Sequence, residues 1–138
     1  MGRILSIDYG RKRTGVAVTD PLQLIAGGLA TVATYQLFDW LKAYTERESV
    51  DRIIIGEPLQ MNGLPSENLL RVQQFVGRWR KAFPEIPIEY YDERFTSVLA
   101  HQAMLDGGLK KKARQNKALV DEISATILLE DYMRSRKI

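Results

Sequence analysis

The chain is predicted to be an α/β protein with one mixed sheet covered by helices, on three observations. Short apolar runs alternate with stretches of helical periodicity along all 138 residues. No linker, repeat or low-complexity tract interrupts the alternation. The length suits one domain, residues 1–138, and the apolar fraction of 45% beside 27% charged residues is that of a folded chain rather than a disordered one.

The first apolar run, 4–7, delivers Asp8 and breaks at Gly10 into the basic turn Arg11-Lys12-Arg13. The chain re-enters a strand at 14–18, so the two runs form a hairpin. Residues 24–34 make a third strand with a bulge or bend at Gly27-Gly28. Leu37, Phe38, Leu41 and Tyr44 then share one helical face, with Thr34 as candidate cap. The apolar run within 52–56 is a fully buried fourth strand. Pro65 and Ser66 open a second helix whose inward stripe is Leu69, Val72, Val76 and Trp79, ending near Pro84. Residues 86–91 are the fifth strand. A short helix from about Ser97 stops at Gly107-Gly108, and a last helix spans 116–136 with Val120, Ile123, Ile127 and Leu128 as its apolar side. Three strands, helix, strand, helix, strand and closing helices is the element order of the ribonuclease H-like fold, a five-stranded mixed sheet flanked by helices.

Composition removes several chemistries. Without cysteine and with His101 as its single histidine, the chain offers no disulfide, thiolate zinc site or histidine cage, so any metal is a hard ion held by oxygen. His101 lies in the amphipathic stretch 98–105 and reads as a structural helix residue. No run of about 18 apolar residues and no leader pattern occurs, which points to a cytoplasmic protein with no membrane partner. The net charge of +3 is modest, and its distribution matters more than its size.

Carboxylates carry the candidate chemistry. A half-buried Asp8 costs a few kcal/mol unless a basic group or a cation compensates it. Asp8 shares a strand face with Ser6, and Gly15 and Ala17 share one on the partner strand, leaving room above the carboxylate. The alternative is an Asp that only bonds its own turn. Glu93 follows the fifth strand, and strand neighbours point to opposite faces, so pairing with Asp92 or Arg94 is awkward and a ligand role is favoured. Arg94 has the planar fork that suits phosphate; otherwise it braces the loop. Asp121 is followed one turn later by Ser124 and Ala125, small enough for close approach of the helix to the sheet, although an acid there also suits the helix dipole. Glu122 points about a quarter turn away and is the weaker candidate. Lys110, Lys111, Lys112, Arg114 and Lys117 follow Gly107-Gly108 without an acid, as a backbone clamp or a solvated loop. The stretch 56–63 reads as a functional loop or an Asn62-Gly63 turn.

Asp8-x-Gly10 with Gly15-x-Ala17, Gly56-x-Pro58 with Gly63, Asp92-Glu93-Arg94 and Asp121, in this order, resemble the YqgF/RuvX family, relatives of the RuvC-type Holliday-junction resolvases, along essentially the whole chain. The resemblance implies a metal-dependent nuclease trimming the 5′ end of pre-16S ribosomal RNA, with Holliday-junction resolution as the older assignment. It implies Asp8, Glu93 and Asp121 as catalytic acids and metal ligands; on such a nuclease the basic residues Arg11, Arg94, Lys110, Lys111, Lys112, Arg114 and Lys117 are expected to hold the nucleic-acid backbone. Three converging carboxylates repel, and magnesium, or manganese in its place, resolves that conflict in an all-oxygen site. Structured RNA, ribosomal precursors and branched DNA are the implied partners of a monomer or weak homodimer.

Two points of geometry stand against an easy fit. At about 4.8 Å per strand, Glu93 starts near 10 Å from Asp8. Glu57 would be closer, but it departs from the family pattern and reads first as a solvent-facing residue. Two other functions compete: a non-catalytic RNA-binding module, and an actin-like ATPase, whose Asp-x-Gly hairpin is similar but which needs a second domain and a second phosphate loop.

Overall fold

The structure, a computed structural model, describes residues 2–59, 62–64, 66–92 and 117–136. Strands β1 (Arg3–Asp8), β2 (Arg13–Thr19) and β3 (Ala26–Ala33) lead through a 3-10 turn (Thr34–Gln36) into α1 (Leu37–Arg47). They are followed by β4 (Val50–Glu57), α2 (Leu69–Ala82), β5 (Ile88–Asp92) and α3 (Lys117–Arg136). The sheet order is β3-β2-β1-β4-β5. The β1–β2 and β2–β3 pairs are antiparallel, and β1–β4 and β4–β5 are parallel, so the predicted mixed sheet is the one observed.

Alternation along the central strands divides the core into two layers. Leu5, Ile7, Ile53 and Ile55 point to one face, where they meet Leu37 and Leu41 of α1 and Val72, Val76 and Trp79 of α2. Ile4, Ala17 and Ile54 point to the other face and pack on Ala125, Leu129 and Tyr132 of α3. Ser6 belongs to this second face, and its buried hydroxyl donates to the Ala125 carbonyl at 2.7 Å. That bond ties β1 directly to the middle of α3.

Several predicted details differ. The 24–34 strand begins only at Ala26, and its irregularity falls at Leu29, the extra residue between the Val16–Ala30 and Ala17–Gly28 pairs, directly beside the predicted glycines. Thr34 does not cap α1. Its hydroxyl is spent on the β1–β2 turn, donating to the Gly10 carbonyl at 2.7 Å and lying 2.9 Å from the Thr14 hydroxyl. Helix α2 starts at Leu69 rather than Pro65 or Ser66, because Asn68 is drawn away to donate to the Tyr9 carbonyl at 2.8 Å. Strand β5 starts at Ile88, since Ile86 closes a turn on Phe83 and its carbonyl accepts from the Trp79 indole. The helix predicted from Ser97, and His101 within it, lie outside the described residues.

The buried face of α3 is also turned from the one expected. Ser124, Ala125, Leu128, Leu129 and Tyr132 are buried, whereas Val120, Ile123 and Ile127 are only partly so. Small side chains won over large apolar ones because they allow the helix axis nearer the sheet. Among the described residues no helix is long and apolar enough to cross a membrane.

Leu129 has no exposed surface and holds α3 to the sheet. Leu129→Ala is expected to cost about 2–5 kcal/mol, read as a lowered urea midpoint; an unchanged midpoint would show that α3 docks by other means.

Candidate active site

Asp8 ends β1 where the sheet gives way to the β1–β2 turn. Three bonds fix that turn: those from Thr34 and Asn68 described above, and the Thr34 amide to the Lys12 carbonyl at 2.9 Å. Gly10 is needed within it, because a Cβ there would lie 2.1 Å from the Arg13 carbonyl oxygen. The turn therefore holds Asp8 at the end of the central strand, on the face of Ser6 and Ile4, towards α3.

Gly15 stands directly across from Asp8 in the β1–β2 register. A Cβ at Gly15 would fall 2.0 Å from the Asp121 carbonyl oxygen and 3.2 Å from its Cα, so the α3 backbone rests on the place where a side chain would be. Opposed residues in an antiparallel pair have Cα atoms about 4.5–5.5 Å apart. Asp8 and Asp121, separated by more than a hundred residues in the chain, thus stand over the same pair of strand positions. The small residues predicted to permit this approach, Ser124 and Ala125, are both buried against the sheet.

The Asp121 carboxylate is not idle. Its Oδ2 accepts from Arg13 Nε at 3.0 Å, in an ion pair whose side chains are 25% and 42% exposed. Arg13 is a residue the sequence reading passed over in favour of Arg11, which is exposed in the turn. Alternation was the signal available: residues 13, 15 and 17 share a face, and that face meets α3. A pair this exposed is worth at most about 1 kcal/mol, so an incoming cation or phosphate exchanges for it at small cost.

Among the described residues no group of three His, Cys, Asp or Glu side chains converges, and of the three expected acids Asp8 and Asp121 are the two whose backbone positions are brought over the same place in the sheet. Glu93, Arg94, Lys110, Lys111, Lys112 and Arg114 lie outside those residues, and Lys117 is placed only as the first residue of α3. Glu122 faces β3, with its Cβ 3.5 Å from the position a Gly28 side chain would take. Glu57 shares the α1/α2 face of β4 with Ile53 and Ile55, and its charge raises the pKa of Tyr90 on that face, behind burial as the main cause. It is therefore on the far side of the sheet from Asp8. The carboxylate oxygens of Asp8 and Asp121, the candidate donors among the described residues, fit magnesium, which binds through one or two carboxylates and keeps waters and phosphate oxygens for the rest.

A profile of the RuvX family, described as Holliday junction resolvase, matches residues 2–135. The chain belongs to the RuvX family. Its similar relatives include proteins named "Putative pre-16S rRNA nuclease" from Phocaeicola vulgatus, 66% identical over 99% of both chains, and Bacteroides thetaiotaomicron, 61% identical over 99% of both. Among solved structures, Thermus thermophilus RuvC in complex with a Holliday junction substrate aligns with a TM-score of 0.60 at 19% identity over 99% of this chain and 97% of that one. A second Thermus thermophilus RuvC structure gives 0.57 at 16% identity over 96% of each. These likenesses bear out the ribonuclease H-like fold.

In this RuvX chain the three atoms nearest a Gly15 Cβ are all Asp121 backbone, so something must move when one is added. Gly15→Ala is expected to destabilise the protein by about 1–3 kcal/mol and to lift Asp121 away from β2, seen as a lower melting temperature together with shifted Asp121 and Arg13 Nε NMR signals. Unchanged signals would mean that the helix does not rest on Gly15 in solution.

Proposed function

We propose that this RuvX chain is a nuclease that hydrolyses phosphodiester bonds at the 5′ end of pre-16S ribosomal RNA, using magnesium, or manganese in its place, held by Asp8, Asp121 and Glu93. The observation that carries the reading is the stacking of Asp121 over Gly15, the strand partner of Asp8. The names of the relatives supply the substrate.

When bound, the metal neutralises charge at the scissile phosphate and activates the attacking water. Asp8, held by the Thr34- and Asn68-tied turn, contributes a fixed carboxylate, and pre-organisation of this kind removes reorganisation from the reacting complex. Asp121 contributes the second carboxylate from an independent element. Arg13, released from Asp121, has its guanidinium at the same rim and can take a phosphate oxygen through its planar fork. Arg11, Arg94, Lys110, Lys111, Lys112, Arg114 and Lys117 are assigned to the flanking backbone, contacts that fix register and carry no base code. A cytoplasmic location and a monomer or weak homodimer complete the proposal.

The Arg13–Asp121 pair favours a second reading, a non-catalytic RNA-binding module in which that carboxylate is structural. The family description favours a third, cleavage of branched DNA. One assay separates all three: wild type, Asp8→Asn and Asp121→Asn are given magnesium and either a 5′-extended 16S precursor RNA or a four-way DNA junction. Wild type is expected to cut the RNA, and each variant to lose about 100-fold or more of that rate, matching several kcal/mol of lost charge stabilisation. Equal rates would remove both acids from the reaction, and cutting of the junction alone would transfer the activity to DNA.

A further inference from the structure

A second crevice opens at the same end of the sheet as Asp8, on the opposite face. It encloses about 390 Å³ between the 3-10 turn, the start of α1 and the outer side of α2. Its wall is aromatic, with Tyr9, Tyr35 and Phe38 around the opening, and its charge is carried by Arg71 and Arg78, with no acid among the described residues that line it. Tyr9 is the residue after Asp8, so the crevice and the candidate active site share the end of β1, their Cα atoms about 3.8 Å apart.

The crevice is built rather than incidental. Tyr9 packs on Phe75 with ring centroids 5.7 Å apart, and its carbonyl is held by Asn68. Burial raises the pKa of the Tyr9 hydroxyl, and the neighbouring Arg71 guanidinium works in the opposite direction, which sets that cation close to the ring. The Arg78 guanidinium lies 3.9 Å from the Phe38 ring centroid, a cation–π contact that holds the exposed side chain over the crevice. Among the described residues neither arginine is ion-paired. Tyr35 stands at the lip with 86% of its surface exposed, so its ring is open to a stacking partner.

We propose that this crevice binds an unpaired nucleotide of a single-stranded RNA flank, with the base stacked on Tyr35 and the adjoining phosphates on Arg71 and Arg78. Aromatic faces beside arginines are the chemistry by which single strands are held without sequence preference. Two arginines, with no acid among the described lining residues, match a polyanion and disfavour a basic or wholly apolar partner, and the exposed ring of Tyr35 beside them suits a nucleotide. The inference rests on the nucleic-acid substrate proposed above and extends it: the strand would run from the Asp8 side of β1 over the turn to the α2 side, so that an unpaired flank, rather than a blunt duplex, is what the protein positions.

The test is fluorescence anisotropy of the full chain in EDTA with a fluorescein-labelled, unstructured RNA of about twelve nucleotides. Because binding without metal is read, the result stands or falls apart from the fate of the Asp8→Asn cleavage assay. Tyr35→Ala is expected to weaken binding about fivefold or more, the lower end of what one base–aromatic stack contributes. Arg71→Ala is expected to flatten the slope of log K against log salt by about 0.7, one phosphate contact. Both variants are expected to melt at the wild-type temperature. Loss in the arginine variant alone would reduce the crevice to a charged patch and overturn the stacking site. Wild-type affinity in both variants, or no RNA binding by wild type, would overturn the proposal outright and leave the crevice to a protein segment.

Discussion

The contact between the α3 backbone and Gly15 constrains everything else at the site, because no side chain fits between them. It sets how near the helix lies to the sheet, and that distance decides whether Asp121 is a neighbour of Asp8 or a solvent-exposed acid. The rest of the second layer is consistent with it. Ala17 continues the small face on β2, Ala125 and Ser124 continue it on α3, and the Ser6 hydroxyl closes the gap by bonding the Ala125 carbonyl. A helix docked on large side chains would stand further off, and packing of this density does not deform gradually.

Bringing two half-buried acids over one place in the sheet is costly unless positive charge is near. In the present structure Arg13 answers Asp121. The pair is exposed enough that water already screens it, so it can serve as a placeholder for a cation without locking the site. The same end of β1 has an opposite side, where Tyr9, Arg71 and Arg78 line a crevice instead of a carboxylate. One strand end thus separates a face that carries carboxylates from a positively charged aromatic one.

Much of this was legible before any coordinates. The element order is that of the ribonuclease H-like fold, which fixes the sheet order, and the motifs that resemble the RuvX family point to Asp8, Gly15, Ala17 and Asp121, with alternation and residue size explaining how they can meet. What was missed shares a physical cause. Thr34 looked like a helix cap and Ser66 like a helix start, but tertiary bonds to the β1–β2 turn took Thr34 and Asn68 away from their local roles. The apolar side of α3 was misjudged because hydrophobicity ranks Ile123 above Ala125, whereas close approach ranks them the other way. Arg13 was overlooked beside Arg11 since charge clusters do not reveal which member faces inward; its parity with Gly15 does. The Tyr9–Arg71–Arg78 crevice joins residues from three elements, and no single stretch of sequence announces it.

The central claim is that Asp8 and Asp121 share one divalent cation. Paramagnetic broadening by manganese tests it most directly, since amide signals fade with proximity to the bound ion whether or not any substrate is cut. The account predicts that substoichiometric manganese broadens the signals around Asp8 and around Asp121 together, and that Asp8→Asn abolishes the effect at both. Broadening that stays at one acid, or that spreads over the surface and survives the substitution, would contradict it.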